Sequence, residues 1–203
     1  MKSVSFDSLS FLDKMRLLLL HPQSFFDSVK SVSVGREPVV WSFLALLLFG
    51  GLNFVLFLLH GSGQVSIPAW SVLLDFSDVF IVIFGFFSYV LFLVLMVVGL
   101  PLLHSLARKF GGKGSVTDTK KALFYPWVLF FLLGWIPVVG WIIAVWASYL
   151  VYVGFRALHG LSMGRAIGYL VVATVLVTIA YFIVLVILIF LLITLAFMAF
   201  TGS

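Results

Sequence analysis

The sequence predicts an all-α, polytopic membrane bundle, on three observations. Hydrophobic residues make up 64% of the 203 positions and charged residues 9%, more apolar surface than a water-soluble domain of this length can bury. All 12 Lys and Arg fall into three clusters: Lys2, Lys14, Arg16, Lys30 and Arg36; then Arg108, Lys109, Lys113, Lys120 and Lys121; then Arg156 and Arg165. Between and after the clusters run tracts of Leu, Val, Ile and Phe without a basic residue, which is how a multi-pass protein keeps alternate loops on the positive side of a bilayer.

Residues 1–38 read as a cytosolic amphipathic segment. Ser10 is positioned to cap a helix with Phe11, Leu12, Met15, Leu18 and Leu19 on one face and Asp13, Lys14 and Arg16 on the other. His21-Pro22 ends it. Ser24, with Asp27 three residues on, opens a second helix that groups Phe25, Phe26, Val29 and Val32 until Gly35 stops it. Such helices lie in the membrane interface or pack across neighbouring spans, as a lid on the bundle or as a docking surface. The only apolar run here, Leu17 to Leu20, is too short for a secretory signal, so the first span is expected to insert uncleaved.

Residues 39–203 read as a five-span transmembrane domain. The first span, about 39–59, has the twenty or so apolar residues needed to cross the hydrocarbon core, with Asn53 as its one strongly polar side chain. Gly61-Ser62-Gly63 breaks it, and the following loop holds Pro68, Trp70, Asp75 and Asp78. The second span, about 79–103, carries Pro101 near its end. The tract from Ala122 to Phe155 is too long for one span. Gly134-Trp135-Ile136-Pro137-Val138-Val139-Gly140-Trp141 punctuates it, so it reads as a hairpin of two spans, about 120–136 and 138–156. The first arm is short enough to require a start near Thr117, with Lys120 and Lys121 snorkelling to the surface. The last tract has no charge, no Pro and no turn after Gly168, so one long helix is expected, with a span at about 166–195.

Five spans put the termini on opposite sides. With the basic clusters inside, the N-terminal segment and the 104–121 and 156–165 loops face the cytosol, and the C-terminus is extracytoplasmic. The expected location is the cell membrane.

The same inventory excludes several functions. The net charge of +5 sits beside spans and forms no continuous basic face, so nucleic acid is not an expected partner. Cys is absent, which removes disulfides, thiolate metal sites and a cysteine nucleophile. No ionisable residue lies deep in a span, as proton-coupled carriers and intramembrane proteases require. His21, His104 and His159 form no close ligand pair in sequence, so no metal and no cofactor is expected. Around Lys113 a phosphate-binding P-loop fails, because Ala107 stands where the motif needs Gly and Gly114 where it needs Ser or Thr.

What remains is a candidate lipid- or partner-binding face built from Arg108, Lys109, Gly111, Gly112, Lys113, Gly114, Lys120, Lys121, Arg156 and Arg165. Glycine amides and basic side chains are both suited to a headgroup phosphate. Asn53, Gly164 and Gly168 are the candidate helix-packing residues.

The segment from Leu103-His104 through Gly111-Gly112-Lys113-Gly114-Ser115 to Lys121-Ala122-Leu123-Phe124-Tyr125-Pro126 resembles the central motif of the Yip family of membrane proteins. Tyr149 through Ser162, followed by Arg165-Ala166, resembles that family's second signature, and Leu20-His21-Pro22-Gln23-Ser24-Phe25-Phe26 its short pre-span motif in prokaryotic members. The likeness spans residues 17 to 190. It implies a five-span bundle with a cytosolic N-terminus. Eukaryotic members are named for binding Rab-type GTPases in vesicle trafficking, but their acidic aromatic DLYGP motif is not in this sequence. The expected function is therefore a non-catalytic scaffold or adaptor that meets membrane lipids and a protein partner at its cytosolic face. A passive permease or channel for a small or lipid-like solute, with a homo-oligomer left open, is the alternative.

Overall fold

The computed structural model describes residues 6–32, 36–61, 87, 90–134, 136 and 138–201, and every regular element among them is helical. After a single 3-10 turn at Phe6–Ser8 come α1 (Phe11–Leu20) and α2 (Pro22–Lys30). Then follow α3 (Glu37–Gly61), α4 (Val90–Val98), α5 (Leu100–Lys109), α6 (Val116–Leu133), α7 (Val139–His159) and α8 (Met163–Thr201).

The Ser10 cap of α1 forms as its sequence predicts, with the side chain accepting from Asp13 N at 3.2 Å. The polar face does not. Lys14 is buried beside Met15 and Leu18, with its Nζ 3.0 Å from Glu37 Oε1 and over the rings of Phe6 and Trp41. Leu12, assigned to the apolar face, is instead 76% exposed. A lysine can turn inward like this when its methylenes pack on aromatic rings and its ammonium finds a carboxylate.

Helix α2 starts at Pro22, ahead of the expected Ser24, because proline's missing N–H is harmless at the first helical position. It ends at Lys30; Gly35 lies outside the described residues. Phe25, Phe26 and Val29 are fully buried. Phe26 fits a slot where α6 and α7 come close: a Cβ added at Gly154 would lie 2.9 Å from its ring and 3.1 Å from Ala122 Cα. Phe25 meets Phe6 and Tyr125 edge-on at 5.4 and 5.1 Å. The amphipathic segment is thus packed on α6 and α7 as a lid.

The second expected span is not straight. Helices α4 and α5 meet at 55°, with Gly99 and Pro101 at the break. A side chain at Gly99 would strike Leu95 O at 2.7 Å, and Pro101 opens α5 without needing an N–H. The chain then stays helical to Lys109, so most of the expected 104–121 loop is helix. Leu100, Leu103 and Ala107 bury one face of α5 at helical spacing.

Helix α6 begins at Val116, close to the start required by the short arm. A capping box holds it there: Ser115 Oγ accepts from Asp118 N and Asp118 Oδ2 accepts from Ser115 N. Buried Ser42 bridges α3 to α6 by reaching Phe124 O at 3.2 Å. In the turn to α7, Gly140 packs directly on the Gly134 backbone, an approach a side chain would block. Helix α8 is continuous over 39 residues, about 58 Å at 1.5 Å per residue. Past Val177 it leaves the bundle, and Ile179, Phe182, Ile183, Val186 and Ile187 are all exposed.

Among the described residues, α7 and Met163–Leu191 of α8 are long and apolar enough to cross a membrane, and α4–α5 makes a third if the bent pair is one span. That is two or three spans, where the sequence reading gives five. The described apolar stretch of α3, Glu37–Leu48, is short, and α6 carries Asp118, Lys120 and Lys121 in its first turns. Asp75, Asp78 and much of the 79–103 tract lie outside the described residues.

Candidate functional site

One end of the bundle collects nearly all the polar chemistry. Hydrogen bonds there join the ends of α2, α5 and α7 to the start of α6, so residues distant in sequence share one surface. The first component is the loop between α5 and α6. Gly111, at φ +88°, closes α5 in a Schellman arrangement: its N–H donates to Arg108 O, and Gly112 N–H donates to Ala107 O. Lys113 N–H then donates to His159 O at 2.9 Å, fastening the loop to the end of α7.

These bonds overturn part of the sequence reading. The amides of Gly111, Gly112 and Lys113 already serve protein carbonyls, so they do not form an open phosphate nest. The glycines are needed for close packing instead. A Cβ at Gly112 or Gly114 would lie 3.1 or 2.8 Å from His159 Nδ1, and one at Gly111 would lie 2.8 Å from the Arg165 guanidinium. Arg108, Lys109, Lys113 and Arg165 are all exposed around this loop. Any anion bound here would be met by side chains.

Beneath the loop lies a cluster that sequence spacing did not reveal. Thr119 Oγ1 is 2.8 Å from His104 Nδ1 and 3.0 Å from His159 Nε2, joining α5, α6 and α7. It also donates to Ser115 O at 3.4 Å. One hydroxyl is thus shared by two imidazole nitrogens, with donor and acceptor roles following the tautomer of each ring. His159 Nδ1 is buried without a hydrogen-bond partner. The two rings are 6.0 Å apart, so the two histidines do come together in space. No group of three metal-ligating side chains exists among the described residues. Thr119 is fully buried and His159 nearly so, both under the glycine loop. A hydroxyl flanked by imidazoles has the look of an activated nucleophile, but no substrate can reach it. Its physical role is to tie three helices together.

The third component is Lys121. It does not snorkel. The side chain is 2% exposed and its Nζ donates to Val29 O at 2.8 Å and Val32 O at 2.7 Å, with Asp118 Oδ1 at 3.6 Å. Val29 O also accepts from Val32 N–H at 3.2 Å; the buried ammonium adds a second donor there and serves Val32 O beyond the end of α2. Lys30 Nζ adds a bond to Ala157 O at 3.3 Å. Lysines 14, 30 and 121 therefore act as latches for the lid.

Lys120 is half-buried, facing a groove beside α3. Arg156 is exposed, with its guanidinium against Tyr152 on its own helix. Of the packing candidates, Gly168 is a true contact, since a Cβ there would lie 2.9 Å from Phe110 Cε1. Gly164 is exposed with open space around it and packs nothing. The side chain of Asn53 lies outside the described residues. The Lys121 latch and the Thr119 cluster left no periodic signal, because each depends on groups brought together across at least fifteen positions.

Residues 16–185 match a family model described as the Yip1 domain. No curated protein and no solved structure matches the chain significantly.

Proposed function

The chain belongs to the Yip1 domain family, and from that premise we propose that this membrane protein is a non-catalytic scaffold whose cytosolic end is its working surface. The observation that carries this reading is the exposed set Arg108, Lys109, Lys113 and Arg165 around a loop held rigidly by its own backbone bonds. A fixed loop presents its cations in a constant arrangement, which suits an acidic protein partner or an anionic leaflet. Five spans, with the N-terminus cytosolic and the C-terminus outside, put this face in the cytosol. The charge pattern supports that count, since all 12 Lys and Arg then lie inside.

Two measurements test the proposal. Reporters fused after Gly63 and Ser203 should report outside, and those after Gly114 and Gly160 inside; an inside signal at Ser203 sinks the five-span topology. The triple variant Arg108→Gln, Lys109→Gln, Lys113→Gln keeps Lys120 and Lys121 to hold orientation. After crosslinking in native membranes it should recover several-fold less of the proteins and anionic lipids that co-purify with the unmodified chain. Unchanged recovery with intact topology would reduce the basic loop to a topology signal.

A further inference from the structure

His159 ends α7, beyond the span at about 138–156, and lies sealed beneath the glycine loop at 1% exposure. Its Nε2 meets Thr119 Oγ1 at 3.0 Å, one ring face stacks on Phe155 at 5.0 Å, and Gly112 and Gly114 close over Nδ1. Nδ1 itself has no hydrogen-bond partner. The same residue fastens the loop through its backbone, where Lys113 N–H donates to His159 O at 2.9 Å. Ring and fastening form one unit, and water reaches Nδ1 only when the loop lifts.

A neutral imidazole suits this enclosure and an imidazolium does not. The cation carries an N–H on both nitrogens, and the one on Nδ1 would be buried without an acceptor. Burial therefore holds the ring's pKa at about 4, well below the ordinary 6.5. The surrounding charges divide. From α6, Asp118 favours the cation, but that carboxylate already serves Ser115 and lies 3.6 Å from the Lys121 ammonium. From α5, His104, with its ring 6.0 Å away, and Arg108 oppose it. On the α8 side Tyr169 packs behind Phe155 at 4.2 Å, and Arg165 lies against Gly111 of the loop. From α2, Lys30 reaches Ala157 O.

Opening the loop returns the ring to water, where it takes a proton at the ordinary value. The closed arrangement is at full strength above pH 6.5 and loses stability as pH falls from 6.5 toward about 4, because only the open form binds the proton in that range. From pH 8 to pH 5 the open population rises roughly thirtyfold, by the ratio of the two proton affinities.

We propose that His159 is an acid-sensitive fastener of the glycine loop: a proton on its ring releases the loop from the end of α7 and changes the spacing of the cytosolic cations. Lys113 moves with the loop, while Arg108 and Lys109 stay on α5 and Arg165 on α8. Acid thereby breaks up a fixed arrangement and leaves its charge in place. The regulatory sense of this switch rests on the scaffold reading above; the opening itself does not.

The test follows the Lys113 amide by hydrogen exchange in phosphatidylcholine nanodiscs, expressed as protection factors so that the intrinsic pH dependence of exchange is removed. Protection at Lys113 should fall roughly thirtyfold from pH 8 to pH 5, while the amides of buried Phe124 and Val128 in α6 keep theirs. His159→Gln offers Thr119 an amide but cannot titrate. Whatever its baseline, its Lys113 protection should change less than threefold over the same range. His104→Gln retains His159 and should keep a change of at least roughly tenfold. Should His159→Gln fail to fold, NMR of isotope-labelled histidine in the unmodified protein decides: the His159 ring should be neutral at about pH 5.5 while Lys113 is protected. A pH-independent Lys113 amide, a fall that survives His159→Gln, an equal loss in α6, or a charged His159 ring beneath a closed loop each overturns the proposal. Crosslinked partners and lipids are a separate readout. If the Arg108→Gln, Lys109→Gln, Lys113→Gln variant recovers as much as the unmodified chain, the scaffold reading fails and the acid opening of the loop still stands.

Discussion

Replacing Lys121 with Met keeps the unbranched stem and removes the ammonium that joins α6 to the end of α2. Two charge-assisted hydrogen bonds are lost, to Val29 O at 2.8 Å and Val32 O at 2.7 Å, each worth about 1.5–3 kcal/mol. Against that loss stands the cost of keeping an ammonium at 2% exposure, which amounts to several kcal/mol and which Met relieves. Val29 O keeps the Val32 N–H as a donor at 3.2 Å, so Val32 O alone loses its donor, at about 1–3 kcal/mol, eased where water reaches it. The balance is a weakening of the lid by about 2–3 kcal/mol. Every other lid contact survives, Phe26 in its slot and Lys14 on Glu37 included, so the effect should be a local opening. In nanodiscs, hydrogen exchange at the amides of Phe25, Phe26 and Val29 should quicken by roughly thirty- to hundredfold, since each 1.4 kcal/mol is a factor of ten. Amides of α7 should hold their protection. Exchange in α2 within threefold of the unmodified protein would show that the latch contributes nothing net. Equal loss of protection in α2 and α7 would show that the lid does not open as a separate unit.

Glycines 164 and 168 should respond oppositely to alanine. Gly164→Ala meets open space and should raise the melting temperature through helix propensity, by about 0.5–1 kcal/mol, whereas Gly168→Ala drives a methyl to 2.9 Å from Phe110 and should lower it. Equal effects at both positions would refute the packing assigned to Gly168. Thr119→Val leaves His104 Nδ1 and His159 Nε2 without their shared hydrogen-bond partner and should cost about 2–4 kcal/mol by thermal or urea unfolding. Thr119→Ser should restore most of that loss; if Ser is as damaging as Val, the methyl and not the hydroxyl matters there.

Helix content, the Ser10 cap, the start of α6 near Thr117 and the unbroken last helix were legible in the sequence because each follows from local rules. A cap needs a side chain and an amide three residues apart, and a stretch without Gly, Pro or charge has no reason to end. The clustering of Lys and Arg between apolar tracts belongs to the same class, since it is read directly from the order of residues. Solvent, capping chemistry and periodicity act over a few residues, and for those the sequence is sufficient. Tertiary structure decided which charges are buried. Periodicity put Lys14 on a polar face and loop composition put Lys121 in solvent, yet both turn inward, because Glu37 and the carbonyls of Val29 and Val32 arrive from other elements to receive them. Folding likewise turned the glycine loop's amides onto Arg108, Ala107 and His159, and placed Thr119 between two histidines 55 positions apart. A buried polar group is stable only with its partner in place, and the partner is chosen by how helices pack, which no local pattern in the chain records.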